Sequence, residues 1–225
     1  MDVENLIDYM IINFYGANWD WDEHNWIVLR SRVNPGKGFQ FFSWDAEHIL
    51  ENVTSSVLTE NNSGRPSELF RLLLKNSQFK KLFADRVQKH CYYGGALTPE
   101  VAAARWMKRS EEIDTAIIAE SARWGDYRRD VYRYISAGPF YLYDRQWWLD
   151  EQSFLINTYF PNRTAQFINQ LVADSLFPSI SAPQILVNGA QVRQYSMKAG
   201  DVITILSSDG FIYYTVDGSD PELLG

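Results

Sequence analysis

The chain has 225 residues, of which 46% are hydrophobic and 22% charged, the mixture of an ordinary globular protein with one or two domains. Its net charge of −7 argues against nucleic acid as the main partner, because phosphate backbones attract basic surfaces. The single cysteine, Cys91, excludes an internal disulfide and lies among apolar neighbours that predict a buried thiol, and no apolar run reaches the roughly 20 residues of a transmembrane segment.

A helix over residues 2–14 comes first, because apolar residues recur there at helical spacing. Two polar clusters follow, separated by two apolar-rich runs, Trp26 to Arg32 and Phe39 to Trp44. The segment VNPGKG between the runs carries the proline and glycines of a chain reversal. We therefore predict a β-hairpin over these two runs.

The predicted hairpin gathers polar side chains at its open end. Paired strands lie only about 5 Å apart, so Asn25 before the hairpin and Asp45 after it should lie side by side, with Asp20 on the loop leading in. Because Mg²⁺ prefers oxygen ligands, Asn25 and Asp45 are candidate metal ligands, and the carboxylate of Asp20 is a candidate proton acceptor. Turn formation and capping are the structural alternative for the aspartates. Three residues are possible accessory groups: Asp22, His24 and Glu47.

Phosphoryl transfer uses such groups, and protein kinases order them as D-x-x-x-x-N, a hairpin and a metal-binding Asp. The order here is the same, from Asp20 through Asn25 to Asp45, although no His-Arg pair precedes Asp20 and Ala-Glu follows Asp45. The chain instead resembles the CotH family of atypical kinases, first known from bacterial spore coats. The resemblance is carried by Asn18-Trp19-Asp20, His24-Asn25, Trp44-Asp45, FADRVQKH (83–90), GGALTPE (94–100), AESARWGD (119–126) and YFPNRT (159–164).

The resemblance covers roughly residues 1–178 and implies an α+β fold, the mainly helical C-terminal lobe of a kinase with the metal site on the hairpin. It implies Mg²⁺ or Mn²⁺ and ATP as cofactors and a protein substrate with Ser or Thr acceptors. Asp20 would then be the catalytic base, and Asn25 and Asp45 would bind the metal.

The sequence before Asp20 contains no glycine-rich phosphate loop and no strand lysine. We therefore expect that this chain is a C-terminal portion of a longer protein, or a truncated gene product, and that the nucleotide-gripping lobe is missing from it. No signal peptide is visible, because Asp2 and Glu4 stand where basic residues would be. The resemblance implies an extracellular or cell-surface location in a parent bacterial protein.

Helical patterns continue through the middle of the chain, after a polar loop over residues 51–67. We predict a helix that begins at Pro66, and four more over 78–93, 99–124, most of 126–144 and 147–159. A last helix is predicted from Pro161 to about residue 177. In the helix over 99–124, four large apolar residues are spaced for one face, which we expect to be core: Trp106, Ile113, Ile117 and Trp124.

The composition changes at residues 178–183, which predicts two domains, 1–178 and 182–225. Short strands are predicted over 185–187, 202–206 and 211–216, with Asp209-Gly210 as a hairpin turn before the last. The ending FIYYTVDGSDPE resembles the immunoglobulin-like module at the C-terminus of chitobiases and hexosaminidases. The match implies a small, incomplete β-sandwich that acts as a spacer or adhesion module of secreted bacterial proteins.

Three function classes are compatible with the sequence. The first is a CotH-like kinase that transfers phosphate from ATP to protein hydroxyls. The second is a carbohydrate-binding or carbohydrate-active protein, suggested by eight tryptophans and the chitobiase-like ending. The third is a surface or adhesion protein that keeps a kinase-like scaffold without activity.

Overall fold

A computed structural model describes residues 1–34, 36–131, 141–192, 194–219 and 221. Within those residues, no helix combines the length and the apolar character that crossing a bilayer requires. The elements follow in the order α1 (Val3–Gly16), β1 (Trp26–Leu29), β2 (Gln40–Ser43), α2 (Pro66–Leu73), α3 (Ser77–Cys91), α4 (Pro99–Trp124), α5 (Tyr127–Asp130), α6 (Arg145–Phe154), a π-helical turn (Leu155–Tyr159), α7 (Phe160–Ala173), β3 (Gln184–Val187), β4 (Ala190–Gln191) and β5 (Ile203–Leu206).

Helix α1 lies at the centre of the main hydrophobic core and confirms the first predicted helix. Asp2 begins it, because its carboxylate accepts a hydrogen bond of 3.2 Å from the backbone N–H of Asn5. The helix packs against β2, α3 and α7, and three of its aliphatic side chains are fully buried: Leu6, Ile7 and Met10. Burial of each such side chain stabilises the fold by about 1.5–3 kcal/mol, so packing against α1 stabilises the neighbouring elements.

The predicted hairpin is confirmed, with shorter strands than the sequence suggested. Strands β1 and β2 pair antiparallel, with Trp26 opposite Ser43 and Leu29 opposite Gln40. The side chain of Asn5 pairs with both backbone groups of Phe41: it accepts from the N–H at 2.6 Å and donates to the carbonyl at 3.2 Å. Helix α1 therefore supplies one edge of the hairpin with the partners that a third strand would give.

Helix α3 is tied to α1 by charge and by packing. The carboxylate of Asp8 on α1 pairs with Arg86 and, at 2.9 Å, with Nε2 of His90, both on α3. Partial burial alone would raise the pKa of Asp8, but the bonds from Arg86 and His90 outweigh it and hold the pKa below its ordinary value. Cys91 is 5% exposed, and burial raises the pKa of its thiol to about 12, so the predicted buried thiol is confirmed.

The predicted core face of α4 is wrong in its second half. Ile113 and Trp124 are each 47% exposed. Helical spacing places side chains on one face, but a face is buried only where another element covers it. The first half of α4 packs on α7 through Ala102 and Trp106. Among the described residues, the contacts of the second half are to α6 and to residues just before it.

The predicted helix over 126–144 is found only as α5, whose Arg129 pairs with Asp130; residues 132–140 lie outside the described part of the chain. The next predicted helix begins at Arg145, where Asp144 accepts hydrogen bonds from the N–H groups of Gln146 and Trp147. It continues through the π-helical turn into α7, which ends at Ala173.

The last three strands form an antiparallel sheet in the order β4-β3-β5. The predicted strand over 211–216 is wrong, because these residues form neither a strand nor a hairpin partner in the structure. Phe211 is 91% and Val216 93% exposed, so no covering layer is present for their apolar side chains among the described residues. With its helical body and two small antiparallel sheets, the molecule belongs to the predicted α+β class.

Candidate functional site

Residues 17–25, here called the site loop, connect α1 to β1 and carry most of the predicted site residues. The loop begins where Ala17 takes a left-handed conformation with φ of 50°. Asn18 is fully buried, and its amide donates to the side-chain oxygen of Asn13 at 3.0 Å while its backbone N–H bonds to the carbonyl of Asn13. These bonds fix the direction in which the chain leaves α1.

A buried arginine, Arg163 of α7, holds the same end of α1. Its guanidinium donates to the carbonyls of Tyr15 at 2.7 Å and Phe14 at 2.8 Å, and also to those of Val53 and Ser55. The last carbonyls of a helix have no partner within the helix, so Arg163 satisfies them from outside. Burial lowers the pKa of Arg163 below its ordinary value. Arg163 thus joins three parts of the chain at the start of the site loop: the end of α1, helix α7 and the segment that follows the hairpin.

Asp22 turns inward and holds the site loop to α2. It is 2% exposed, and its carboxylate accepts from the backbone N–H of Ser67 at 2.8 Å, from the Ser67 hydroxyl and from the amide of Asn62 at 2.8 Å. Ser67 lies in the first turn of α2, where N–H groups lack partners within the helix. The structure therefore places the accessory candidate Asp22 as a cap on α2, with both carboxylate oxygens in use.

Asp20, two residues earlier, points the other way and is only half paired. Its Oδ2 accepts a hydrogen bond of 2.7 Å from the amide of Asn25, while its buried Oδ1 meets no donor among the described residues. The backbone carbonyl of Asn25 accepts from the N–H of Trp44 at 3.0 Å, which closes the open end of the hairpin. The structure therefore brings Asp20 and Asn25 together.

Glu47 and His48 follow β2 by four and five residues and lie close to Asp20. One ligand atom from each of these three side chains lies within 4.8 Å of the others, and among the described residues this is the group of acids and histidines that could share a metal ion. His48 also lies 3.3 Å from a carboxylate oxygen of Glu51 and packs against Trp19, with ring centroids 4.2 Å apart and ring planes tilted by 37°. The indole of Trp19 and the carboxylate of Glu51 hold the imidazole of His48 in place.

Asp45 lies one residue beyond the contact between Asn25 and Trp44. It has a φ of 50°, a left-handed conformation that is uncommon for residues other than glycine and frequent at functional sites. It is exposed, and it belongs to no three-membered group of acids and histidines among the described residues. His24 is also exposed, 3.6 Å from a carboxylate oxygen of Glu23.

Sequence reasoning missed His48, Trp19 and Arg163. His48 is not among the predicted site residues, because no partner for it is visible in the sequence. The signal that could have found it is its position directly after Glu47 and three residues after Asp45, in a segment already chosen for its acids. Arg163 lies in the YFPNRT segment but gives no local sign that it contacts residues more than a hundred positions away.

Comparison with curated proteins and with solved structures gave no significant match. The family model described as CotH kinase protein matches residues 1–164, which include α1, the hairpin, the site loop and Arg163. This range is more than two thirds of the chain and covers every candidate residue named above. It ends before the three-stranded sheet and gives no support to the chitobiase-like module. The chain therefore belongs to the CotH kinase protein family.

Proposed function

We propose that this chain carries the reacting centre of a kinase that transfers phosphate from ATP to Ser or Thr hydroxyls of a protein, with Mg²⁺ or Mn²⁺ as cofactor. Membership of the CotH kinase family suggests the reaction class. The observation that carries the proposal for the site is the half-paired carboxylate of Asp20. Asn25 fixes one of its oxygens, and the other lacks a donor beside Glu47 and His48.

In this proposal, Asp20 acts as the base. The hydrogen bond from Asn25 sets the direction of the carboxylate. Oδ1 is buried and has no donor among the described residues, and it is the oxygen that would accept the proton once the attacking hydroxyl reaches it. That hydrogen bond uses the amide N–H of Asn25, so the amide oxygen remains the group that can bind a cation.

Two sets of side chains are the candidate ligands for the divalent cation. The first set is Asn25 and Asp45, which provides the oxygen ligands that Mg²⁺ prefers. The second set is Asp20, Glu47 and His48, in which the imidazole favours Mn²⁺ over Mg²⁺. When bound, the cation would neutralise phosphate charge during the transfer.

The test is phosphate incorporation from radiolabelled ATP into the chain itself and into dephosphorylated casein, with Mg²⁺ or Mn²⁺. We expect metal-dependent incorporation that falls about a hundredfold in Asp20→Asn, because general-base catalysis contributes at least that much. The control is Glu111→Gln, an exposed residue in the middle of α4. Equal incorporation by the native chain and Asp20→Asn would remove the proposed role of this residue.

The two ligand sets are separated by two further variants in the same assay. Loss of phosphate incorporation in Asp45→Ala, with incorporation kept in Glu47→Gln, would support Asn25 and Asp45 as the metal ligands. The reverse result, with Mn²⁺ more effective than Mg²⁺, would support the Asp20, Glu47 and His48 set.

The alternative is a surface or adhesion protein on an inactive kinase-like scaffold, and the spore-coat association of the family is compatible with a surface location. Thermal unfolding separates the two, because a ligand that binds only the folded state raises the melting temperature. A rise with ATP and Mn²⁺ supports the kinase, and no change at millimolar ATP supports the inactive scaffold.

A further inference from the structure

An aromatic groove lies between the exposed second half of α4 and the start of α6, in a part of the molecule that the proposed reaction does not use. Its volume is about 460 Å³. Four aromatic side chains line it together with acidic groups; the ring-bearing residues are Trp124, Tyr143, Trp147 and Trp148. Trp124 and Trp147 are 47% and 42% exposed, so their rings are open to a ligand.

The groove is held open by its own structure. The N–H of Tyr143 bonds to the carbonyl of Gly125 at 2.8 Å, and Arg145 pairs with Asp114, so the start of α6 is fixed to α4 at both positions. A Cβ on Gly125 would lie 2.2 Å from the carbonyl oxygen of Tyr143, so only glycine permits this approach. The two walls of the groove are therefore joined at its end.

The four aromatic rings of the groove are here called the cage. The planes of Tyr143 and Trp147 meet at 63°, with ring centroids 5.5 Å apart. Trp124 and Trp147 keep exposed ring surface. Such a surface suits a positive charge, because the face of an aromatic ring carries negative electrostatic potential.

The charges at the groove also favour a cationic ligand. Glu120 and Glu151 line it, and neither has an ion-pair partner among the described residues. The third acid, Asp144, is used as the cap of α6. Of the nearby arginines, Arg145 is paired with Asp114, and Arg123 lies over the Trp124 ring, 5.0 Å from its centroid.

We propose that this groove binds the cationic side chain of a basic peptide segment, a lysine ammonium or an arginine guanidinium. The rings contact the face and stem of the cation, and Glu120 and Glu151 pair with its charge. The site lies outside the Asp20 cluster, so its occupancy does not depend on the proposed kinase activity.

The test uses a fluorescein-labelled hexalysine peptide and its fully Nε-acetylated counterpart, with binding followed by anisotropy on the full chain. Glu120→Gln with Glu151→Gln removes the charge and keeps the shape of the groove. We expect this double variant to bind hexalysine at least about fivefold more weakly, and the acetylated peptide to bind poorly to every form. Trp147→Ala should weaken binding as well, because it removes a wall of the cage.

The matched control is Glu100→Gln with Glu111→Gln, two exposed acids of α4 that do not line the groove. We expect hexalysine affinity within twofold of the native chain. Equal losses in the two double variants would show attraction by overall charge and would overturn the proposal. Equal binding of the two peptides would overturn it as well, and so would tighter binding of chitohexaose that is unaffected by the Gln variants. Circular dichroism checks that each variant is folded.

Discussion

The inner and outer faces of the site loop differ in how completely their polar groups are paired. On the inner face, Asp22 and Asn18 are buried, and Asp22 has partners for both carboxylate oxygens. On the outer face, Asp20 has one oxygen without a donor among the described residues, and Trp19 is 57% exposed. Two aspartates only two positions apart thus differ in their pairing: the fully paired Asp22 holds the loop, and the half-paired Asp20 is the one that we propose binds a ligand.

The largest effect on stability is expected at Arg163, behind the inner face. Arg163→Met keeps an unbranched apolar stem and removes the guanidinium from four carbonyls, of which those of Tyr15, Phe14 and Ser55 keep a second donor. We expect the free energy of unfolding to fall by about 3 kcal/mol, because hydrogen bonds to a charged group contribute about 1.5–3 kcal/mol each and the remaining donors recover part of the loss. Urea unfolding measures it, with Arg123→Met at the exposed end of α4 as the control. A loss below about 1 kcal/mol would contradict the anchoring role.

Asp22→Asn is expected to have the next largest effect. The Asn side chain keeps one oxygen as an acceptor, but an NH2 group replaces the second oxygen. An NH2 group cannot accept a hydrogen bond, so the bonds from Ser67 and Asn62 cannot all be kept. We expect a loss of about 2 kcal/mol in the free energy of unfolding. The matched variant is Asp20→Asn, in which the amide replaces an oxygen that has no donor, and it should change the free energy by less than about 0.5 kcal/mol. Equal losses of unfolding free energy in Asp22→Asn and Asp20→Asn would contradict the difference between the two faces of the site loop.

A smaller and pH-dependent effect is expected at the tie between α1 and α3. The pKa of Asp8 is held below its ordinary value, so the carboxylate stabilises the folded chain above the unfolded pKa of about 4. This contribution is lost as the pH falls through the lower, folded pKa. Asp8→Asn should cost about 1 kcal/mol at pH 7, a modest value because the side chain is 35% exposed. Urea unfolding from pH 7 to pH 2 should show the difference between native and variant vanish at the acid end; a constant difference would contradict the ion-pair explanation.

The smallest effect is expected beyond the three-stranded sheet. Val216 is 93% exposed, although the sequence pattern placed it on a strand. Val216→Ser should change the free energy of unfolding by less than about 0.5 kcal/mol, as surface substitutions usually do. A loss above about 1 kcal/mol in urea unfolding would mean that the side chain is covered in solution.

The sequence predicted the elements whose signals are local. The period of α1 and the turn residues between β1 and β2 gave the helix and the hairpin. The hairpin in turn predicted that Asn25 and Asp45 would lie side by side, and the structure shows a backbone contact of Asn25 one residue earlier, with Trp44. The α+β class was implied by the family resemblance and agrees with the structure.

The errors concern what covers an element and which distant residues meet. Trp124 has the spacing of a core residue but is 47% exposed, with contacts among the described residues to Tyr127 and to the start of α6. The strand predicted over 211–216 has apolar alternation but pairs with no strand in the described part of the chain. Arg163 acts through contacts that no local pattern contains, and the contact of His48 with Trp19 spans the whole hairpin. The roles of Asn25 and Asp45 as metal ligands and the domain boundary near residue 180 stay predictions.

The most direct test of the central claim is Mn²⁺ binding, measured by isothermal titration calorimetry on the native chain, Asp20→Asn and the control Glu111→Gln. The claim is that the half-paired carboxylate on the outer face of the site loop belongs to a cation site. We predict one site in the native chain and in Glu111→Gln, and at least a tenfold weaker affinity in Asp20→Asn, while its urea midpoint stays unchanged. Equal affinity in all three forms, or no binding at millimolar Mn²⁺ by the native chain, would contradict the account.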